Sequence, residues 1–77
     1  MKLTWTKTDK GWFGIHGKFR AEVARPVSAF MLYHWSVRAG NISGGSGGTS
    51  SALDSKRAAE TEIDRFAKFL RSQKAAS

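Results

Sequence analysis

The strongest constraint on the fold is a two-residue alternation from Trp12 to Val23, in the stretch WFGIHGKFRAEV. Its odd positions are apolar or glycine, which is the pattern of a β-strand with one buried face. The even positions mix an indole ring, an imidazole and cationic side chains. Because the alternation does not break at His16 and Gly17, it predicts one long strand over residues 12–24 with an apolar odd face.

Two further strands are predicted on either side of this one. Residues 2–7 and residues 30–38 alternate in the same way, and turn-forming sequences separate the three segments. TDKG at residues 8–11 is typical of a hairpin loop, and RPVS at residues 25–28 contains a proline that cannot donate a ladder hydrogen bond. The first half of the chain, residues 1–39, is therefore expected to form a three-stranded antiparallel sheet.

The composition changes sharply after residue 39. Residues 40–51, GNISGGSGGTSS, are rich in glycine and serine, and such a composition favours a flexible linker. A phosphate-binding P-loop is disfavoured because GGTS lacks the lysine of that motif. Residues 52–73 carry apolar side chains at helical spacing, and residues 74–77 are expected to fray.

These elements predict a single α+β domain over residues 1–77, with the element order β-β-β-α. The C-terminal helix is expected to pack on the odd face of the sheet. One helix can cover only one face, so the even face is left open. The predicted core comprises Trp5, Phe13, Phe19, Trp35, Ile63, Phe66 and Leu70.

The charge balance indicates a polyanionic or acidic partner. Thirteen Lys and Arg residues against six Asp and Glu residues give a net charge of +7. Improved solubility alone is the simpler alternative. The excess lies mainly in residues 1–40, which carry seven cationic and two acidic residues.

Alternation assigns three of these seven cations to the open face of the predicted sheet. The candidate partner-binding or nucleic-acid-binding residues there are Trp12, His16, Lys18, Arg20, His34 and Arg38. Cations interleaved with aromatic rings can contact phosphates and stack on bases. A secondary basic strip is expected on the helix, from Arg57, Lys68 and Arg71. The alternative use of the open face is a homodimer in which Phe30 and Leu32 bury each other.

Catalytic and metal-binding chemistry finds little support in the sequence. The chain has no cysteine and no G-x-S-x-G elbow. His16 and His34 are expected on one face, but no third ligand type accompanies them. We therefore predict a non-enzymatic protein without metal or cofactor. The absence of a long apolar run and of a signal-peptide pattern predicts no membrane partner and a cytoplasmic location.

Two resemblances bear on function. The predicted element order, together with GKFRAEV at residues 17–23, resembles the small sheet-reading DNA-binding domains of some integrases and plant transcription factors. WSVRAG at residues 35–40 and RAAETEI at residues 57–63 resemble small phage and prophage accessory proteins, which include anti-CRISPR proteins. The second resemblance implies a binding protein that inhibits or occupies a nucleic-acid-processing complex. Direct DNA or RNA binding through the open face is the alternative.

Overall fold

The computed structural model describes residues 2–28 and 31–76, with side chains described as far as residue 73. Within these residues, five antiparallel strands precede one C-terminal helix. Their bounds are β1 (Thr4–Thr8), β2 (Gly11–His16), β3 (Phe19–Ala24), β4 (Tyr33–Ala39), β5 (Ile42–Thr49) and α1 (Ala52–Ala76). The strands lie in chain order, each paired with the one before it. The predicted α+β class with a helix packed on an antiparallel sheet is confirmed. The prediction of three strands is wrong, because the sheet has five.

The predicted long strand over residues 12–24 is two strands joined by a two-residue turn. Gly17 has a φ of 59° at the first central position of this turn, where a type II′ turn places glycine. The residues that flank such a turn pair with each other, and His16 accordingly pairs with Phe19. The even-numbered His16 and the odd-numbered Phe19 therefore lie on the same face of the sheet. Even-numbered residues of β2 face the helix, whereas in β3 the odd-numbered residues do, so the alternation reverses between the two strands.

This reversal changes the composition of the core. Phe13 and Ile15 point away from the helix, so the predicted placement of Phe13 in the core is wrong. The buried cluster comprises Leu3, Phe19, Ala21, Val37, Ala39, Ala59, Ile63 and Phe66, with Trp5, Trp35, Ala67 and Leu70 packed against it. The other six predicted core residues therefore do belong to the core or pack on it. Phe19 and Phe66 meet edge to face, with ring centroids 6.1 Å apart.

The glycine- and serine-rich segment is a strand, so its prediction as a linker is wrong. A second two-residue turn precedes it, with Gly40 at a φ of 60° in the same first central position. Ala39 pairs with Ile42 across this turn, and the pairing continues as far as Thr49. β5 therefore forms the edge of the sheet that adjoins the helix.

Close packing explains why this strand is built from glycine. A Cβ atom on Gly44 would lie 2.7 Å from a methyl group of Val37 and 2.9 Å from the ring of Phe66. A Cβ atom on Gly47 would lie 3.0 Å from the ring of Trp35. Glycine thus allows the helix and an indole ring to contact the strand backbone directly.

The helix begins at Ala52 as predicted and continues to Ala76, beyond the predicted end at residue 73. The Ser51 hydroxyl accepts a hydrogen bond of 3.1 Å from the backbone N–H of Asp54, which is N-cap geometry. Ser55, which is fully buried, shares a hydrogen bond of 2.6 Å with the hydroxyl of Thr49. These contacts fix the start of the helix against the end of β5.

A partly buried carboxylate ties the helix to the first strand. Glu60 accepts hydrogen bonds from the backbone N–H of Leu3 at 3.0 Å and from the indole N–H of Trp5 at 3.2 Å. Trp5 lies over Gly14, where a Cβ atom would come within 2.9 Å of its ring. The side chains of Leu3 and Trp5 thereby fill the space beside the helix. In the part of the chain that the structure describes, no helix is long and apolar enough to cross a membrane.

Candidate functional site: the open sheet face

The sheet face that points away from α1 is hereafter called the open face. The strand register places alternate residues of all five strands on it. Hydroxyl groups and cations predominate among its polar side chains. Its residues include Thr4, Thr6, Phe13, Ile15, Arg20, Glu22, His34, Ser36, Arg38, Ser43 and Ser46.

Three cations gather at one end of a groove on the open face. Arg20 of β3 and Arg38 of β4 are direct cross-strand partners. Lys18, in the turn between β2 and β3, lines the same groove. Its ammonium nitrogen lies 5.7 Å from the ring centroid of Phe19, which belongs to the helix-covered face, so the Lys18 side chain lies at the edge of the sheet between the two faces. The groove therefore combines two guanidinium groups with a lysine at its rim.

These cations have no acidic side chain at ion-pair distance in the described part of the chain. Among the described residues, no carboxylate lies within 4.0 Å of the charged nitrogens of Lys18, Arg20 or Arg38. Arg38 donates a hydrogen bond of 3.1 Å to the carbonyl of Gly40, an arrangement that orients the guanidinium but leaves its charge uncompensated. Like charges directly opposite each other destabilise a sheet, so an anion bound between them would relieve a built-in repulsion.

Serine hydroxyls extend the groove beyond the arginines. Ser43 pairs with Arg38, and Ser46 pairs with Ser36 on the same face. All three serines line the groove. Hydroxyl groups beside guanidinium groups are common ligands of phosphate oxygens, because both donate hydrogen bonds to an anion.

The structure brings together four of the six residues predicted for this face. Lys18, Arg20, His34 and Arg38 line one groove. Trp12 and His16 do not belong to it, and their assignment to the open face is wrong.

Trp12 pairs with Val23, and His16 pairs with Phe19, both of which are buried under the helix-covered face. The reversal of alternation at the turn between β2 and β3 is the physical reason for this change of face.

Trp12 instead belongs to a cluster of rings and cations on the helix side of the sheet. The charged end of Arg25 lies 5.1 Å from its ring centroid and that of Lys56 lies 4.9 Å away. Tyr33 approaches Trp12 with a centroid separation of 6.2 Å, and Lys56 also lies 5.9 Å from the ring of Trp5. Such contacts join the first turns of the helix to the sheet, which is a structural role.

The secondary basic strip lies on the opposite side of the domain. Arg57, Lys68 and Arg71 are exposed on the helix, away from the groove. Of the two residues predicted for a self-interface, Leu32 is 58% exposed, whereas Phe30 lies outside the described residues.

Sequence reasoning missed Phe13, Ser43 and Ser46. It predicts Phe13 in the core and both serines in a linker, whereas it does place Glu22 and Ser36 on the open face, without a role in binding. Two signals in the sequence favour a hairpin at the two places where these predictions fail. Gly17 with Lys18, and Gly40 with Asn41, each match a two-residue hairpin with glycine in the first position.

No metal centre is visible in the described part of the chain, where no group of three or more His, Cys, Asp or Glu side chains could hold an ion. Comparisons with protein-family models, with curated proteins and with solved structures gave no match to this chain. The fold and the groove define a small α+β domain with an open, cationic sheet face.

Proposed function

We propose that this protein is a non-enzymatic binding module whose open face binds the phosphate backbone of nucleic acid. Arg20, Arg38 and Lys18 would contact phosphate oxygens, with the groove serines donating further hydrogen bonds. The observation that carries the proposal is the cross-strand pair of Arg20 and Arg38, which has no acidic partner among the described residues. A nucleic acid supplies the closely spaced negative charges that such a pair lacks.

The composition of the face favours backbone contacts over a protein interface. Protein–protein interfaces are enriched in large aromatic residues and arginine, and they are depleted in lysine, glutamate and serine. The lining of this groove instead includes a lysine, a glutamate and three serines. Inhibition of a nucleic-acid-processing complex, in the manner of anti-CRISPR proteins, stays a prediction from sequence resemblance. A cytoplasmic location and a homodimer also stay predictions.

The test is a titration of the protein against labelled single-stranded and duplex oligonucleotides at several salt concentrations. A triple variant, Lys18→Ala with Arg20→Ala and Arg38→Ala, removes the three cations of the groove. If each contacts one phosphate, the slope of log affinity against log salt falls by about 2 for single strands and by about 3 for a duplex.

The chain offers a control with the same loss of charge. Arg57→Ala, Lys68→Ala and Arg71→Ala remove three exposed cations from the helix on the other side of the domain. This helix variant should lose far less affinity and keep its salt slope. An equal or larger loss in the helix variant would contradict the proposal, as would failure of the unaltered protein to bind either oligonucleotide.

A further inference from the structure

Phe13 and Glu22 are direct cross-strand partners on the open face. They lie where two concave regions meet, because both residues line the cationic groove and also a smaller, more apolar pocket beside the turn between β1 and β2. Thr8 and Ala24 contribute to the wall of that pocket. A phosphate-binding groove and an apolar pocket thus share a boundary formed by one aromatic ring and one carboxylate.

The carboxylate of Glu22 makes no salt bridge and no hydrogen bond with any of the residues that the structure describes. Its side chain is exposed between Phe13 on β2 and Ser36 on β4. A carboxylate repels phosphate, so backbone binding by itself does not account for an acidic side chain in this position.

We propose that the pocket beside Phe13 binds a nucleobase and that Glu22 selects guanine; this inference rests on the proposed function. The half-buried ring of Phe13 offers a surface on which a base can stack. Guanine presents two adjacent N–H donors on its Watson–Crick edge, N1–H and the N2 amino group. These match the two acceptor oxygens of one carboxylate.

The other bases fit this carboxylate less well. Thymine and uracil present a single N–H between two carbonyl oxygens, and a carboxylate repels those oxygens. Adenine and cytosine present an amino group beside an unprotonated ring nitrogen, so each can donate only from that amino group. Recognition of a base edge by paired hydrogen bonds is the usual origin of sequence preference.

The spacing along β3 is consistent with a single bound nucleotide. Arg20 and Glu22 lie on the same face two residues apart, which corresponds to about 7 Å along a strand. This separation is on the scale of the distance from the phosphate of a nucleotide to its base. A phosphate between the arginines would therefore leave its base close to Phe13 and Glu22.

The experiment compares thymine oligonucleotides that carry one central guanine, one central inosine or no replacement. Inosine keeps the N1–H of guanine and lacks its 2-amino group. We expect the unaltered protein to bind the guanine oligonucleotide about tenfold more tightly than the all-thymine one, with inosine in between. Glu22→Gln should raise the affinity for the all-thymine oligonucleotide, since a negative charge is lost, and should abolish the preference for guanine.

Asp54→Asn serves as the matched control, because it removes the same charge from an exposed position in the first turn of the helix. This variant should retain the preference for guanine. Equal affinity of the unaltered protein for all three oligonucleotides would overturn this inference and leave the proposed function standing. A Glu22→Gln variant that keeps the full guanine preference would overturn it equally. Binding to none of the three would overturn the proposed function, and this inference with it.

Discussion

Arg20 on β3 lies directly opposite Arg38 on β4, and no carboxylate among the described residues lies within 4.0 Å of either guanidinium. Two like charges in this position oppose the pairing of their own strands. The arrangement is expected to lower the stability of the isolated domain and, under the proposed function, to attract an anion. Stability and binding are therefore expected to respond in opposite directions when one arginine is removed.

Arg20→Thr tests this opposition. Threonine suits a strand, and its introduction removes the repulsion with Arg38, so the free energy of unfolding should rise by about 0.2–1 kcal/mol. The gain should shrink at high salt, because screening weakens the repulsion in the unaltered protein. Urea denaturation at two salt concentrations measures both effects, and oligonucleotide affinity should fall in parallel. A loss of stability at low salt would show that Arg20 stabilises its strand pairing.

The glycines of β5 provide a test of the packing between strand and helix. Gly44→Ala places a methyl group against Val37 and Phe66, so it should lower the free energy of unfolding by about 1–3 kcal/mol. Gly48→Ala is the matched control on the open face, where its nearest neighbour is Leu32 at 3.2 Å. Its effect should be much smaller. Equal tolerance of both changes in thermal denaturation would mean that the helix does not pack on this strand.

Glu60 joins the helix to the first strand through two donors. Glu60→Ala leaves the backbone N–H of Leu3 and the indole N–H of Trp5 without their acceptor, and we expect a loss of about 1–3 kcal/mol. Glu60→Gln keeps one carbonyl oxygen as an acceptor and should lose less. Urea denaturation followed by circular dichroism gives the two values. Equal stability of the alanine variant and the unaltered protein would contradict this role.

The corrected position of Trp12 leads to a prediction about binding. Trp12→Leu removes the contacts with Arg25, Lys56 and Tyr33, so the domain should be less stable. Because Trp12 lies on the helix-covered side, oligonucleotide affinity should stay within about twofold under conditions where the variant is folded. Circular dichroism verifies folding, and fluorescence anisotropy measures affinity. A large loss of affinity in a folded variant would place the binding surface on the helix side.

Sequence patterns predicted the features that depend on local spacing. Apolar residues at helical intervals predicted a helix that begins at Ala52, and alternation predicted that Phe19 and Trp35 lie on the covered face with Ile63 and Phe66. Likewise, the alternation in β3 and β4 assigned Arg20 and Arg38 to one open face. These predictions succeeded because neighbouring residues of a strand or a helix have fixed relative directions.

The assignment of β2 depended on the turn that follows it, and alternation alone could not decide it. One continuous strand and two strands joined at Gly17 and Lys18 give the same sequence pattern. They differ in whether Phe13 shares a face with Phe19, since a two-residue hairpin reverses the sense of the alternation. As a result, Phe13 lies in the candidate site and not in the predicted core. Trp12 lies on the helix-covered side and not in the predicted site.

The sequence by itself determined the cationic character of the chain, its C-terminal helix and the face of β3 and β4 that carries the arginines. Gly40 and Asn41 signal a hairpin turn, but only the tertiary structure decided that residues 42–49 pair along their length as a strand. Glycine and serine have low intrinsic preference for strands, so composition favoured a linker. The bulk of Phe66 and Trp35 requires a strand without side chains beneath them, and that requirement arises only when the helix and sheet pack together.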